Sequence, residues 1–186
     1  MTVKYFKTAV VLASICAVAA IVLAGMNMIT KGKIEAYEVG KIRNALEEVS
    51  NGMDFSERED INQSYVSYMY RLTSSGFASG YILGLISNGY GGELNLVASY
   101  DLEGRIMAAK LVSDSETPGL GKKAESTGYM DKFIGTGTAQ LPVPTGKGML
   151  SESDSAAVSG ASITFTGISK ALAYGSDFVK SLKEST

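Results

Sequence analysis

The chain contains no histidine and no tryptophan, and its one cysteine is Cys16. Without histidine, Ser-His-Asp and Cys-His nucleophilic arrangements, histidine-ligated haem and the common zinc sites are excluded together. A lone cysteine in an apolar run cannot build a disulfide framework or supply the several thiolates of an iron–sulfur cluster. Charge of one sign is equally scarce: 17 Lys and Arg against 19 Asp and Glu leave a net charge of -2, with no long like-sign block. Neither the basic footprint of a nucleic-acid binder nor an acidic disordered tail is present. Ten tyrosines and six phenylalanines still furnish material for a core. A length of 186 residues suits one domain of ordinary size with an accessory segment.

What the chain does have is a long apolar run. Thr8 to Ile29 reads TAVVLASICAVAAIVLAGMNMI, uncharged, with Asn27 its one strongly polar interruption. As a helix it is long enough to cross a hydrocarbon layer of ~30 Å, so residues 1–30 are read as a short tip and a transmembrane helix. A secretory signal peptide competes, because Lys4 and Lys7 precede the run and small residues end it. The stretch is long for such a signal and lacks a clean A-x-A site. Ile15, not a small residue, precedes Cys16, which argues against a lipoprotein and for a small apolar helix residue. Lys31 and Lys33 on the far side balance the amino-terminal lysines, so charge alone leaves the orientation open.

Ile34, Tyr37, Ile42, Leu46 and Val49 recur at helical spacing, which predicts a membrane-proximal helix; the aperiodic NGMDFSERED from Asn51 to Asp60 reads as a linker. Residues 31–60 therefore join the anchor to a domain at 61–186. SYVSYMYRLT, ASGYILGLIS, ELNLVASYD and RIMAAKLVS, separated by SSG, NGYGG and LEGR, predict an antiparallel sheet. Tyr129 to Ile134 is expected as a short helix and Gly135 to Gly148 as a loop. Ile168, Leu172, Gly175, Val179 and Leu182, with Phe178 beside them, mark one stripe of a closing helix from about Ser162 to Lys183. The fold class is α+β.

GTGTAQ from Gly135 lacks the third glycine of a dinucleotide fingerprint, and neither Gly121-Lys122 nor Gly146-Lys147 has the glycine five positions earlier that a phosphate loop requires. In SETPGLG, Pro118 and Gly119 suit the centre of a type II turn. Amides around Gly119, Leu120 and Gly121 could meet the polar edge of a heterocycle, with Glu116 and Thr117 beside them; a plain turn after a strand is the alternative. Ser159-Gly160-Ala161-Ser162-Ile163-Thr164 falls where the last helix begins, so free amides there would face an anion. Gly160 and Ala161 leave room, and the hydroxyls of Ser159, Ser162 and Thr164 could bind a phosphate or be esterified by one. Simple helix capping by Ser159 or Ser162 is the alternative. Glu93, Glu125, Glu152 and Asp154 share no specified face and read as solvated surface. Tyr65, Tyr68 and Tyr70 read first as core aromatics of a strand, with ring stacking the alternative.

The order of parts, an amino-terminal span, then GYGGELNLV, SETPGLGKK and SGASIT opening the last helix, resembles the G subunit of Rnf electron-transport complexes. More distantly it is similar to the C subunit of the sodium-pumping NADH:quinone reductase. The resemblance covers nearly the whole chain, and SETPGLG is its most specific piece. It implies FMN joined covalently through its phosphate to a hydroxyl in an S-G-A-T sequence, placed there by a flavin transferase that uses FAD. The matching position is Ser162, serine instead of the usual threonine, and the aspartate common six positions earlier is Ala156, with Asp154 two positions further back. Where the family often has histidine before its ETPGLG stretch, this chain has Asp114. The resemblance also implies a single-pass protein of the cell (inner) membrane, its tip cytoplasmic and its domain on the periplasmic or exterior side. The implied function is an electron-carrying subunit of an ion-translocating ferredoxin:NAD oxidoreductase, whose partners are other membrane subunits and, during maturation, the transferase. Pumping would reside in those subunits, since one anchor helix without an internal charge offers no pathway. The rivals are a flavin-free scaffold subunit and a stand-alone membrane-anchored flavoprotein reductase.

Overall fold

The computed structural model describes residues 2–114, 124, 126 and 128–184. The chain divides into two compact units, residues 1–41 and 42–186. The first helix, α1 (Thr2–Val49), passes through both. In its amino-terminal part the apolar run is exposed: Leu12, Ile15, Ile21 and Leu23 are each more than 60 % exposed. A helix that is apolar on every side belongs in hydrocarbon or in a large core, and within Tyr5–Val49 it is long and apolar enough to cross a membrane. Of the predicted membrane-proximal stripe, Ile34 and Tyr37 are exposed, whereas Leu46 and Val49 are buried.

The second unit is an antiparallel sheet with a helix on each face. Its strands are β1 (Asp54–Phe55), β2 (Glu59–Asp60), β3 (Val66–Ser74), β4 (Phe77–Asn88), β5 (Glu93–Asp101) and β6 (Ile106–Asp114). They lie in the order β1-β3-β4-β5-β6, with β2 also on β3. Both two-residue strands fall within the segment read from sequence as a linker; two residues carry too little alternation to be seen there. The β3–β4 hairpin closes through Ser75 and Gly76, both at positive φ (52° and 82°), the turn whose twist matches that of paired strands. At the β5–β6 turn the Asp101 carboxylate accepts from the amides of Glu103 and Arg105, at 3.0 and 2.8 Å.

Alternation along the strands separates the two faces. On one, Leu72, Ile82 and Val97 pack with Ala45, Leu46 and Val49 from the end of α1. On the other, Leu83, Leu85, Leu94, Leu96, Ala98 and Tyr100 pack under the last helix, α3 (Ser162–Glu184), against Phe165, Ile168, Ala171, Leu172 and Val179. Burying a Leu, Ile or Phe side chain stabilises by roughly 1.5–3 kcal/mol, so this second layer fixes where α3 lies. The predicted α3 stripe is the buried one, with Leu182 partly covered at its end. Between sheet and α3 the chain makes 3-10 turns at Met130–Phe133 and Lys147–Met149, and a short helix α2 (Glu152–Ala157). α2 spans less than two turns, too short for a periodic signal.

Candidate functional site

The start of α3 is held against the end of β4 by close backbone approach. A Cβ on Gly167 would run into the Asn88 carbonyl oxygen and lie 3.3 Å from Leu94 Cδ1, so only glycine lets the helix sit this near. Ser87 Oγ, 5 % exposed, donates to the Gly167 carbonyl at 2.8 Å. Two residues earlier the Phe165 ring stacks on Phe133, centroids 5.6 Å apart. Five residues after Gly167 the fully buried Tyr100 hydroxyl donates to the Leu172 carbonyl at 3.1 Å, and burial pushes that phenol's pKa well up.

The predicted hydroxyl-rich segment turns into α3 at this place. Gly160, at φ 83°, takes the left-handed conformation that glycine tolerates. The Phe165 amide donates to the Ala161 carbonyl at 2.9 Å, which makes Ala161 the residue before the first turn. Its methyl, 4 % exposed, offers no acceptor to the amides of Ile163 and Thr164, as a serine or aspartate there would. Ser162 is therefore the first helical residue and not the cap, and its carbonyl accepts from Thr166 Oγ1 at 2.8 Å. Ser162 and Ser159 are exposed, but Thr164 is completely buried, with no hydrogen-bond partner for its Oγ1 among the described residues.

Ser162 opens on a cleft of about 390 Å³, toward the lower end of the ~300–1,000 Å³ typical of small-molecule sites. α3 contributes Ile163, Thr166, Gly167 and Lys170, β4 contributes Ser87 and Asn88, and Tyr65 closes the side. The Tyr65 ring rests against Tyr174 at 5.2 Å, and Tyr174 donates to Gln63 Oε1 at 3.2 Å. Hydroxyls, an amide, one cation and an aromatic wall are a donor set that fits a sugar-alcohol phosphate. A second cavity, of about 410 Å³, is also lined by Tyr65 and runs along Asn62 to Ser67.

Glu116, Thr117, Gly119, Leu120 and Gly121, the other predicted contacts, lie outside the described residues. β6, which leads toward them, ends with Asp114 opposite Leu94, and Leu94 in turn packs beside Gly167. Of the tyrosines, Tyr65 reaches the cleft, while Tyr68 and Tyr70 serve the opposite sheet face. The Tyr68 ring covers Gly84, and the Arg58 guanidinium sits 4.2 Å from its centroid. Burial, then the neighbouring Tyr70, raises the Tyr68 pKa, and Arg58 opposes them. Asp154 is engaged: Ser151 Oγ donates to Oδ2 at 2.7 Å and Lys132 Nζ lies 3.6 Å from Oδ1. Ala156, Glu93 and Glu152 are exposed, and Glu125 lies outside the described residues. No cluster able to hold a metal occurs among the described residues.

Asn88, Thr166 and Lys170 were not singled out from sequence. Thr166 and Lys170 lie one and two turns beyond Ser162, a spacing visible in the chain; Asn88 reaches the cleft only through strand pairing. Residues 89–176 match the family described as the FMN-binding domain. The chain is 27% identical over 179 residues to the G subunit of the Na(+)-translocating ferredoxin:NAD(+) oxidoreductase complex of Acetobacterium woodii, covering 86% of this chain and 84% of that protein. It is 27% identical over 125 residues to the G subunit of the ion-translocating oxidoreductase complex of Haemophilus influenzae, covering 62% and 60%. These relatives bear the name that the sequence resemblance implies.

Proposed function

We propose that this chain is a membrane-anchored subunit of an Rnf-type ion-translocating ferredoxin:NAD oxidoreductase, with FMN bound covalently to Ser162, and that it relays electrons between membrane partner subunits. The reading divides the chain into a cytoplasmic tip and transmembrane helix at 1–30, a connection at 31–60 and an FMN-binding domain at 61–186 on the periplasmic or exterior side. One observation carries the choice of acceptor: Ser162 is exposed on the cleft, whereas Thr164, two residues on, is completely buried. An acceptor must meet both a transferase and its nucleotide, which favours the accessible hydroxyl.

In the attachment step a bond forms between Ser162 Oγ and the flavin-side phosphorus of FAD as the pyrophosphate bond breaks. AMP leaves, and the seryl proton passes to the released phosphate. When bound, FMN supplies the redox chemistry, in steps of one electron or two. The chain supplies position and field. The uncapped amides of the first α3 turn favour the phosphate's charge, and the rigid helix start prevents loss of the group. Ser159, Gly160 and Ala161 keep the approach to Ser162 clear, and Glu116, Thr117, Gly119, Leu120 and Gly121, outside the described residues, are the proposed contacts of the ring.

Mass spectrometry of the peptide from Ser153 to Lys170, prepared from native membranes, tests this. A flavin-phosphate adduct on Ser162 is expected, lost in Ser162→Ala and kept in Ser162→Thr. An adduct on Thr164 would move the site, and an unmodified peptide would overturn covalent attachment. Ala156, exposed where an aspartate is usual, favours the second reading, a flavin-free scaffold subunit. Colourless protein made together with its own transferase would select it.

A further inference from the structure

Every described residue lining the Ser162 cleft is uncharged except one, and that one is a cation: Lys170. Its side chain is exposed, and no ion pair joins it to any carboxylate among the described residues. The other described α3 lysines are differently placed, Lys180 beside Asp177 at 3.1 Å and Lys183 beside Glu103 at 3.3 Å. The hydroxyl of Ser162, the cation of Lys170, Asn88 and Tyr65 thus all line one cleft.

The spacing is workable. Eight residues of helix separate Ser162 from Lys170, a rise of about 12 Å and a turn of roughly 80° about the axis. Helical side chains lean toward the amino terminus, so the long lysine stem recovers roughly half of that rise. A phosphoryl group on Ser162 Oγ, directed along the cleft, extends from the other side. A phosphodiester keeps one negative charge at every physiological pH, and the described residues of the cleft offer it no other full charge.

We infer that Lys170 is the counter-ion of the phosphoryl group carried by Ser162, and that this pair lays the flavin's tether into the cleft against Tyr65 and Asn88. Lys170 is a positioning residue that acts on the tether and not on the ring. The inference rests on attachment at Ser162, and the experiment separates the two. The full chain is produced with its flavin transferase as wild type, Lys170→Ala and Lys170→Arg. Whole-protein and peptide masses report the adduct, and time-resolved flavin fluorescence anisotropy in detergent reports how freely it wobbles, at low and at molar salt.

With the adduct present throughout, Lys170→Ala is expected to lower the ratio of docked to free tether about two- to fivefold, the range of a solvent-exposed ion pair. Lys170→Arg restores the ratio. Molar salt reproduces the loss in the wild type and changes Lys170→Ala little, because screening acts on a pair that the variant no longer has. Equal wobble in all three proteins at both salts, with Ser162 loaded, would overturn the inference and leave attachment standing. An adduct missing only from Lys170→Ala would overturn it in favour of a role in loading. A wild type without any adduct on Ser162 would remove the premise and the inference together.

Discussion

Gly167→Ala sets two effects of opposite sign against each other, and their sizes decide the outcome. In an isolated helix the change is favourable by about 1 kcal/mol, because alanine is the better helix former. Here the new methyl falls onto the Asn88 carbonyl and close to Leu94 Cδ1, both in the packed layer between α3 and the sheet. Overpacking of that kind costs about 1–3 kcal/mol. Moving α3 outward to relieve it stretches the bond from Ser87 Oγ to the Gly167 carbonyl, now 2.8 Å. A buried hydroxyl left without its acceptor costs a further ~1–3 kcal/mol. Net destabilisation of about 1–5 kcal/mol follows once the propensity gain is subtracted. With a urea dependence of ~1–3 kcal/mol per molar, the middle of both ranges puts the fall in midpoint at roughly 1.5 M. Near-ultraviolet circular dichroism of the tyrosines, followed during urea unfolding of the full chain in detergent, reads the folded core without interference from residual anchor helix. Because Ser162 lies little more than one turn before Gly167, the same variant should also lose flavin. A midpoint equal to or above the wild type would refute the reasoning, since it would mean that helix propensity outweighs contact with β4.

Tyr129→Phe should behave in the opposite way. The phenol is 3 % exposed and its oxygen has no hydrogen-bond partner, so removing it is expected to be neutral or to stabilise by up to about 1 kcal/mol; a loss above that in urea unfolding would reveal an unseen partner. Alkaline pH is expected to unfold the domain. Burial pushes Tyr129 up to about 12 and raises Tyr68 and Tyr100 as well, from an ordinary value near 10. A raised folded-state pKa contributes stability that is complete below the unfolded value and is lost as pH climbs through the folded one. Each such phenol therefore removes up to about 1.4 kcal/mol per pH unit from pH 10 toward 12. Ultraviolet titration should show these tyrosinates released together with unfolding; smooth release near pH 10 from a folded domain would contradict their burial.

Most of the scaffold was legible because its signals are local. The four long strands stand within two residues of where alternation and turn residues put them, since a half-buried strand must repeat every second residue. α3 was readable from Ile168, Leu172, Val179 and Phe178, which recur with the helical period. β1, β2 and α2 escaped, each too short to repeat its own pattern. Ile34 and Tyr37 continue the Ile42–Val49 spacing yet stay exposed, because periodicity records a face and not whether anything covers it.

By itself the sequence determined which chemistries are impossible without histidine and paired cysteines, the apolar span, the order of the four long strands and the closing helix, and Ser162 as a hydroxyl at a helix start. These follow from composition and from short-range repetition. Only the tertiary structure decided that Ser162 opens on a cleft while Thr164 is sealed in the core, that Ala161 stands where a capping side chain would be, and that Asn88 and Lys170 share that cleft. Such facts depend on how closely α3 approaches β4 at Gly167, a contact between residues far apart in the chain, and no local pattern encodes it.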